Sequence, residues 1–169
     1  VLSDAVSFLV RLLSPRPQLP QLSGVMIESD CNEVQLSTFD YEVAARVKIS
    51  AAIDTPGNVL VHARLLSEIL SKLPAASVSM ELDETRFHVN SGSSKFSLSS
   101  MSTTDYPDTP EFPVATGKVS ASEFTNGVAK VAVAASREEV TPVLTAVMIT
   151  ASSKELTMVS TDRFRVAVK

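Results

Sequence analysis

Thr141-Pro-Val-Leu-Thr-Ala-Val-Met-Ile149, followed by a polar turn and Leu156-Thr-Met-Val-Ser-Thr-Asp162-Arg-Phe-Arg-Val-Ala167, decides the fold, because the chain writes it twice. Shifted back by 122 residues it lies without a gap on Leu19-Pro-Gln-Leu-Ser-Gly-Val-Met-Ile27 and Val34-Gln-Leu-Ser-Thr-Phe-Asp40. Pro142 meets Pro20, Leu144 meets Leu22, and Val147-Met148-Ile149 meets Val25-Met26-Ile27. Glu155 meets Glu33, Asp162 meets Asp40, and Ala167 meets Ala45. Upstream the same shift pairs Val128 with Val6 and Ser136 with Ser14. These identities fall where a strand–turn–strand needs them. So long a period in a chain of 169 residues reads as a tandem domain duplication and not a solenoid. The second copy stops at Lys169, and the expectation is a chain belonging to something larger.

Outward from the repeat, each copy is a helix followed by short strands. Val6, Leu9, Val10 and Leu13 recur at helical spacing within Val1–Leu13, and Pro15 and Pro17 end that helix. Leu22–Glu28 and Val34–Phe39 read as strands around a turn at Ser29-Asp-Cys-Asn32. In Val43–Ile49 the residues Val43, Ala45, Val47 and Ile49 alternate with Ala44, Arg46 and Lys48, predicting an antiparallel sheet with one buried face. After Pro56-Gly57 the cycle restarts, with a strand at Asn58–Val61 and a helix over Ala63–Leu73. Strands at Val78–Leu82, Arg86–Asn90 and Lys95–Ser99 follow. Three prolines in Asp105–Pro113 read as a domain linker. A third cycle opens with a strand at Lys118–Ala121 and a Ser120-x-x-Glu123 capping box. Its helix runs to about Ala135, and strands at Val143–Ala151 and Leu156–Ser160 come next. The fold class is α+β, built of β-α-β-β-β units, two per domain.

Composition narrows the chemistry. Apolar residues, at 44%, suffice for a packed core, and a net charge of −4 gives no global field for nucleic acid, so any basic surface is local. The single Cys31 forms no internal disulfide and fits a reducing cytosol. No apolar run approaches the roughly 20 residues of a membrane span. Asp4 and Arg11 interrupt Val1–Leu13, which has the length of a secretory segment but no cleavage site after it. His62 and His88 lack metal-ligand spacing to Cys31 or to an acid pair, and both read as surface or structural histidines. No serine sits in a nucleophile elbow, and there is no glycine-rich phosphate loop. The chain reads as a non-enzyme with no metal and no cofactor. Asp40 and Asp162 recur as acids but fall in separate copies. A strand-end aspartate accepting from backbone amides in a turn accounts for each.

The doubled β-α-β-β-β unit, repeated at this period, resembles the bacterial DNA polymerase III beta subunit, the sliding clamp. Arg16-Pro-Gln-Leu-Pro-Gln-Leu22, Phe39-Asp-Tyr-Glu-Val43, Lys95-Phe-Ser-Leu-Ser99, Asp105-Tyr-Pro107 and Ser160-Thr-Asp-Arg-Phe-Arg-Val-Ala167 carry the likeness. It implies a DNA-clamp fold, with sheets outside and helices lining one face. Residues 1–112 would be the first clamp domain without its opening strand, and 113–169 the first half of the second, with the third domain absent. It implies a ring that closes as a homodimer around duplex DNA, without reading sequence, and tethers the polymerase in the cytoplasm. The polymerase III alpha subunit, the clamp loader and other proteins bearing a clamp-binding motif are the implied partners. The alternative is a duplicated β-rich interaction module with no DNA role.

Carried over residue by residue, the resemblance places Arg16, Arg11, Lys130, Arg137, Arg64 and Lys72 on the DNA face. The helices hold few acids beside them, namely Asp4, Glu68 and Glu123. It places Leu144, Thr161, Arg163, Phe164, Arg165 and Val166 at a partner-peptide groove, with an apolar floor of Leu144, Phe164 and Val166 and arginines at the rim. Leu73, Phe96 and Leu98 fall at the dimer edge. Where the family commonly writes Thr-Asp-Gly-His-Arg-Leu-Ala, this chain has Thr161-Asp-Arg-Phe-Arg-Val-Ala167. Loss of that glycine argues against a turn with positive φ there.

Overall fold

The computed structural model describes all residues, Val1–Lys169, and divides into two compact units, Val1–Phe112 and Pro113–Lys169. The first unit opens with α1 (Leu2–Leu12), whose Ala5, Val6 and Leu9 are buried. Leu13 leaves the helix in an extended conformation, ahead of the prolines that bar another turn. A 3-10 turn at Pro20–Ser23 leads into β1 (Gly24–Asp30), β2 (Glu33–Phe39) and β3 (Ala44–Ser50). Then come β4 (Gly57–His62), α2 (Ala63–Lys72), β5 (Ser79–Asp83), β6 (Arg86–Ser91) and β7 (Ser94–Ser99).

Two antiparallel sheets result, ordered β3-β2-β1-β4 and β5-β6-β7. On the inner face of the first, Val25, Ile27, Val34, Leu36, Ala45, Val59 and Val61 are buried in one core with Val6, Leu9, Leu66 and Leu70 of the helices. Phe87, Val89 and Leu98 join that core from the second sheet. The alternation expected of the third strand holds from Ala45 to Ile49, with Arg46 and Lys48 turned to solvent. Val43 does not share it. It lies in the turn before β3, 43% exposed, because Asp40 holds it there.

The second unit contains α3 (Ala121–Ala132), a 3-10 turn at Pro142–Thr145, β8 (Met148–Ala151), β9 (Leu156–Thr161) and β10 (Val166–Val168). Its sheet is ordered β10-β9-β8. Buried Val131, Ala134 and Met158 form its centre, and the hydroxyl of buried Ser160 donates to the Val131 carbonyl. Gly127 lets α3 approach β9, since a Cβ there would stand 3.0 Å from the Met158 sulfur.

The duplication reaches individual hydrogen bonds. Met26↔Ser37 and Ile27↔Leu36 in the first copy become Met148↔Val159 and Ile149↔Met158 in the second. Ser23 Oγ donates to Pro20 O at 2.6 Å, and Thr145 Oγ1 donates to Pro142 O at 2.8 Å. Asp40 Oδ1 accepts from the N–H groups of Glu42 and Val43, and Asp162 Oδ1 from those of Phe164 and Arg165. Two segments with few identical residues thus share one backbone geometry.

Several expected elements differ. The strands expected from Leu22 and Val143 start at Gly24 and Met148, because Pro20 and Pro142 each open a 3-10 turn. Lys118–Ala121 forms no strand: Lys118–Ser120 are exposed, unpaired coil and Ala121 begins α3. Extended backbone without a neighbouring ladder gains nothing from strand geometry. The capping box does not close either. Ser120 precedes the helix, but its hydroxyl is 2.9 Å from that of Ser122 and not at a backbone amide. The helix stops at Ala132, where the N–H groups of Ala134 and Ala135 bond three residues back.

Candidate nucleic-acid and peptide interfaces

On the helices, amphipathic spacing that buries one stripe leaves the opposite side to solvent. Arg11 on α1, Arg64 and Lys72 on α2, and Lys130 on α3 are all exposed. Arg16 is exposed in the proline-flanked segment after α1, where its N–H donates to Ser14 Oγ at 3.3 Å. Arg137 is exposed beyond α3. The chain's ion pairs are Val1–Asp4, Lys48–Glu33 and Arg165–Asp162, so all six basic side chains keep their charge free of an internal partner. Such cations are available to phosphate oxygens. His62 caps α2, its Nδ1 accepting from Leu65 N–H at 3.5 Å, while half-buried His88 lies on β6.

The hairpin between β9 and β10 gathers most of the peptide-site candidates. Asp162 Oδ1 accepts from Phe164 and Arg165, and its Oδ2 lies 2.8 Å from Arg165 Nε. Partial desolvation works to raise the Asp162 pKa, but the two amides and the guanidinium outweigh it and hold the carboxyl below its ordinary value. Thr161 Oγ1 donates to Arg165 O at 2.7 Å and accepts from Arg163 N–H. Arg163 Nη2 donates to Thr141 Oγ1 at 2.8 Å, tying the hairpin to the start of the 3-10 turn that carries half-buried Leu144.

One expectation needs correction. The turn does use positive φ: Arg163 sits at 79°, and its first-copy counterpart Tyr41 at 73°. A left-handed arginine costs about 1 kcal/mol, and the aspartate's bonds to the two following residues hold the turn regardless. Phe164 is 96% exposed at the hairpin tip, and Val166 is exposed too. Arg165 is engaged with Asp162 and Arg163 with Thr141, leaving Phe164 as the outward group without a partner. Thr141, which fixes Arg163, went unnoticed in the sequence because the first copy carries Leu19 there.

Of the residues expected at a dimer edge, Leu73 is half-buried against the core and Phe96 is 36% exposed on β7, an outer strand of its sheet. Leu98 is 3% exposed and packs in the core opposite Phe87, so it has no surface to offer a partner. It supports the strand that presents Phe96.

The acid-sensitive hairpin yields a test. Asp162 contributes stability fully above the ordinary carboxylate range, about pH 3.9, and loses it as pH falls through its depressed folded value. Amide exchange at Phe164 and Arg165 is expected to quicken at acid pH. Asp162→Ala should quicken it about fivefold even at neutral pH, the scale of one lost hydrogen bond. Asp162→Asn, which keeps an Oδ1 acceptor, should show most of the wild-type protection.

The model for the DNA polymerase III beta subunit N-terminal domain matches residues 1–110, and that for its central domain matches 118–169. The chain belongs to the DNA polymerase III beta subunit family. The beta sliding clamp of Micrococcus luteus is 45% identical over 169 residues, covering 100% of this chain and 54% of that protein. The beta sliding clamp of Streptomyces coelicolor is 42% identical, with 100% and 45% covered. Among solved structures, the beta subunit from Streptococcus pyogenes DNA polymerase superposes with a TM-score of 0.88 at 26% identity, over 99% of this chain and 47% of that one. The chain therefore spans about half the length of these beta subunits, and its fold is the clamp fold. No helix is long and apolar enough to cross a membrane.

Proposed function

We propose that this chain forms the first domain and the opening half of the second domain of a sliding clamp that encircles duplex DNA and tethers the replicative polymerase. The carrying observation is the succession of both family domains on a duplicated fold with six unpaired basic side chains, four on its helices and two just beyond helix ends. In this reading 1–112 and 113–169 are the two clamp domains, and the third lies outside the chain. The strand before α2 pairs with β1; a strand before α1 would pair with β5 in the same way and complete the first domain.

The working ring is a cytoplasmic homodimer whose neighbour meets the β7 edge at Phe96 and Leu73. Arg16, Arg11, Arg64, Lys72, Lys130 and Arg137 attract phosphates weakly, so the ring slides. The polymerase III alpha subunit, the clamp loader and other partners insert a peptide at Leu144, Thr161, Arg163, Phe164, Arg165 and Val166. The protein itself catalyses nothing. Holding the polymerase beside its primer makes rebinding intramolecular at high effective concentration.

Salt dependence tests the DNA face. In the full-length protein, Arg16→Ala is expected to flatten the slope of log affinity against log salt by about 0.9 for duplex DNA, one phosphate contact's worth. The change should be equal on unrelated sequences. An effect confined to one sequence would mean base readout and contradict sliding.

A further inference from the structure

The segment after β7 looks like a linker by composition, yet it is fastened to the first unit at three separate points. Met101 N–H donates to Leu60 O at 2.8 Å and forms an isolated bridge with β4. Phe39 N–H, at the end of β2, donates to Tyr106 Oη at 2.9 Å. The Arg46 guanidinium on β3 lies over the Phe112 ring, 4.7 Å from its centroid. Those anchors span the sheet from its β4 edge to its β3 edge.

Their register on the sheet is informative. Leu60 pairs with Met26, Met26 with Ser37, and Ser37 with Arg46, a single row across all four strands. This row faces away from the helical core, whose residues are the alternating neighbours Val25, Leu36, Ala45 and Val61. An outward row is ordinarily wet. Leu60 is nevertheless 0% exposed and Ser37 2%. The next outward row, Asn58–Glu28–Gln35–Lys48, is polar, with Asn58, Glu28 and Lys48 exposed. Beyond the last anchor, Pro113–Ser120 is exposed throughout and has no regular structure.

We propose that Met101–Phe112 is a latched strap: it belongs to the first unit, crosses the Leu60–Met26–Ser37 row to end on the exposed Arg46, and is caught at Tyr106, so that free movement of the connecting chain begins only at Pro113. The strap closes Leu60 and Ser37 to partners and leaves the Asn58–Lys48 row as the open outer surface of the sheet. Tyr106 suits the role of catch. Its phenol is half-buried, and burial together with nearby Asp40 outweighs the Phe39 bond and raises its pKa, so it stays neutral. It also serves a backbone N–H that β2 leaves unpaired at its end. This inference concerns the first unit alone and stands whether or not the protein encircles DNA.

Amide hydrogen exchange on the full-length protein tests it. In the unaltered protein, residues 101–112 should exchange more slowly than 113–120. Tyr106→Phe removes the hydroxyl acceptor and keeps the ring. It is expected to speed exchange at Phe39 at least about tenfold while Leu36, in the middle of the same strand, is unchanged. Equal exchange in 101–112 and 113–120 of the unaltered protein would overturn the strap. Unchanged protection of Phe39 in the variant would overturn Tyr106 as its catch.

Discussion

Leu36→Ala is expected to lower the stability of the first unit by about 3 kcal/mol, within the range for truncating a fully buried leucine. Leu36 is 0% exposed on β2, a strand paired on both sides, by β1 and β3. Its side chain enters the core shared by both helices and both sheets of that unit. Neighbouring backbone is held by two ladders and cannot collapse into the space left behind, so a cavity term adds to the lost burial. Denaturant unfolding followed by a probe in the first unit measures the shift. A loss below about 1 kcal/mol, the size of an ordinary surface or near-neutral change, would contradict the packing described.

The second large effect concerns peptide docking. In the full-length protein, Leu144→Ala or Arg165→Ala is expected to weaken a clamp-binding peptide at least about tenfold, or about 1.4 kcal/mol. The two act differently. Leu144 is a half-buried apolar anchor beside the Thr141–Arg163 tie, whereas Arg165 holds Asp162 and hence the turn. Phe164→Ala separates contact from scaffold. A side chain 96% exposed supports little of the fold, so stability should change by no more than about 0.5 kcal/mol, while peptide affinity falls. A fluorescent peptide titrated against each variant decides the matter. Full affinity in all three would place the docking groove elsewhere.

The sequence showed most where chemistry repeats at fixed spacing. Asp40 and Asp162 stood out by the shift of 122 residues, and a carboxylate before two free amides has an obvious turn role. The helix stripes were equally legible, because Val6, Leu9, Leu66 and Leu70 have no other way to leave water. Backbone sign was not legible. Tyr41 and Arg163 both take positive φ, a conformation imposed by the aspartate before them and not by their own side chains. Nor does alternation tell an edge from a centre: Phe96 and Leu98 share one face of β7, yet only Leu98 is covered. The strand expected at Lys118–Ala121 failed for the complementary reason, since strand propensity in a segment counts only beside a partner. The prolines of Asp105–Pro113 signalled a break in regular structure but not the hydrogen bond that fastens Tyr106.

The central claim is topological, and one comparison addresses it directly. Full-length protein placed by a clamp loader on nicked circular duplex DNA, then filtered from free protein, is expected to remain on the circle at moderate salt. Cutting the same circle once should release it, because a ring that grips phosphates weakly slides off an end. Equal retention on circular and linear DNA, or no retention on either, would contradict encirclement and favour an interaction module without a DNA role.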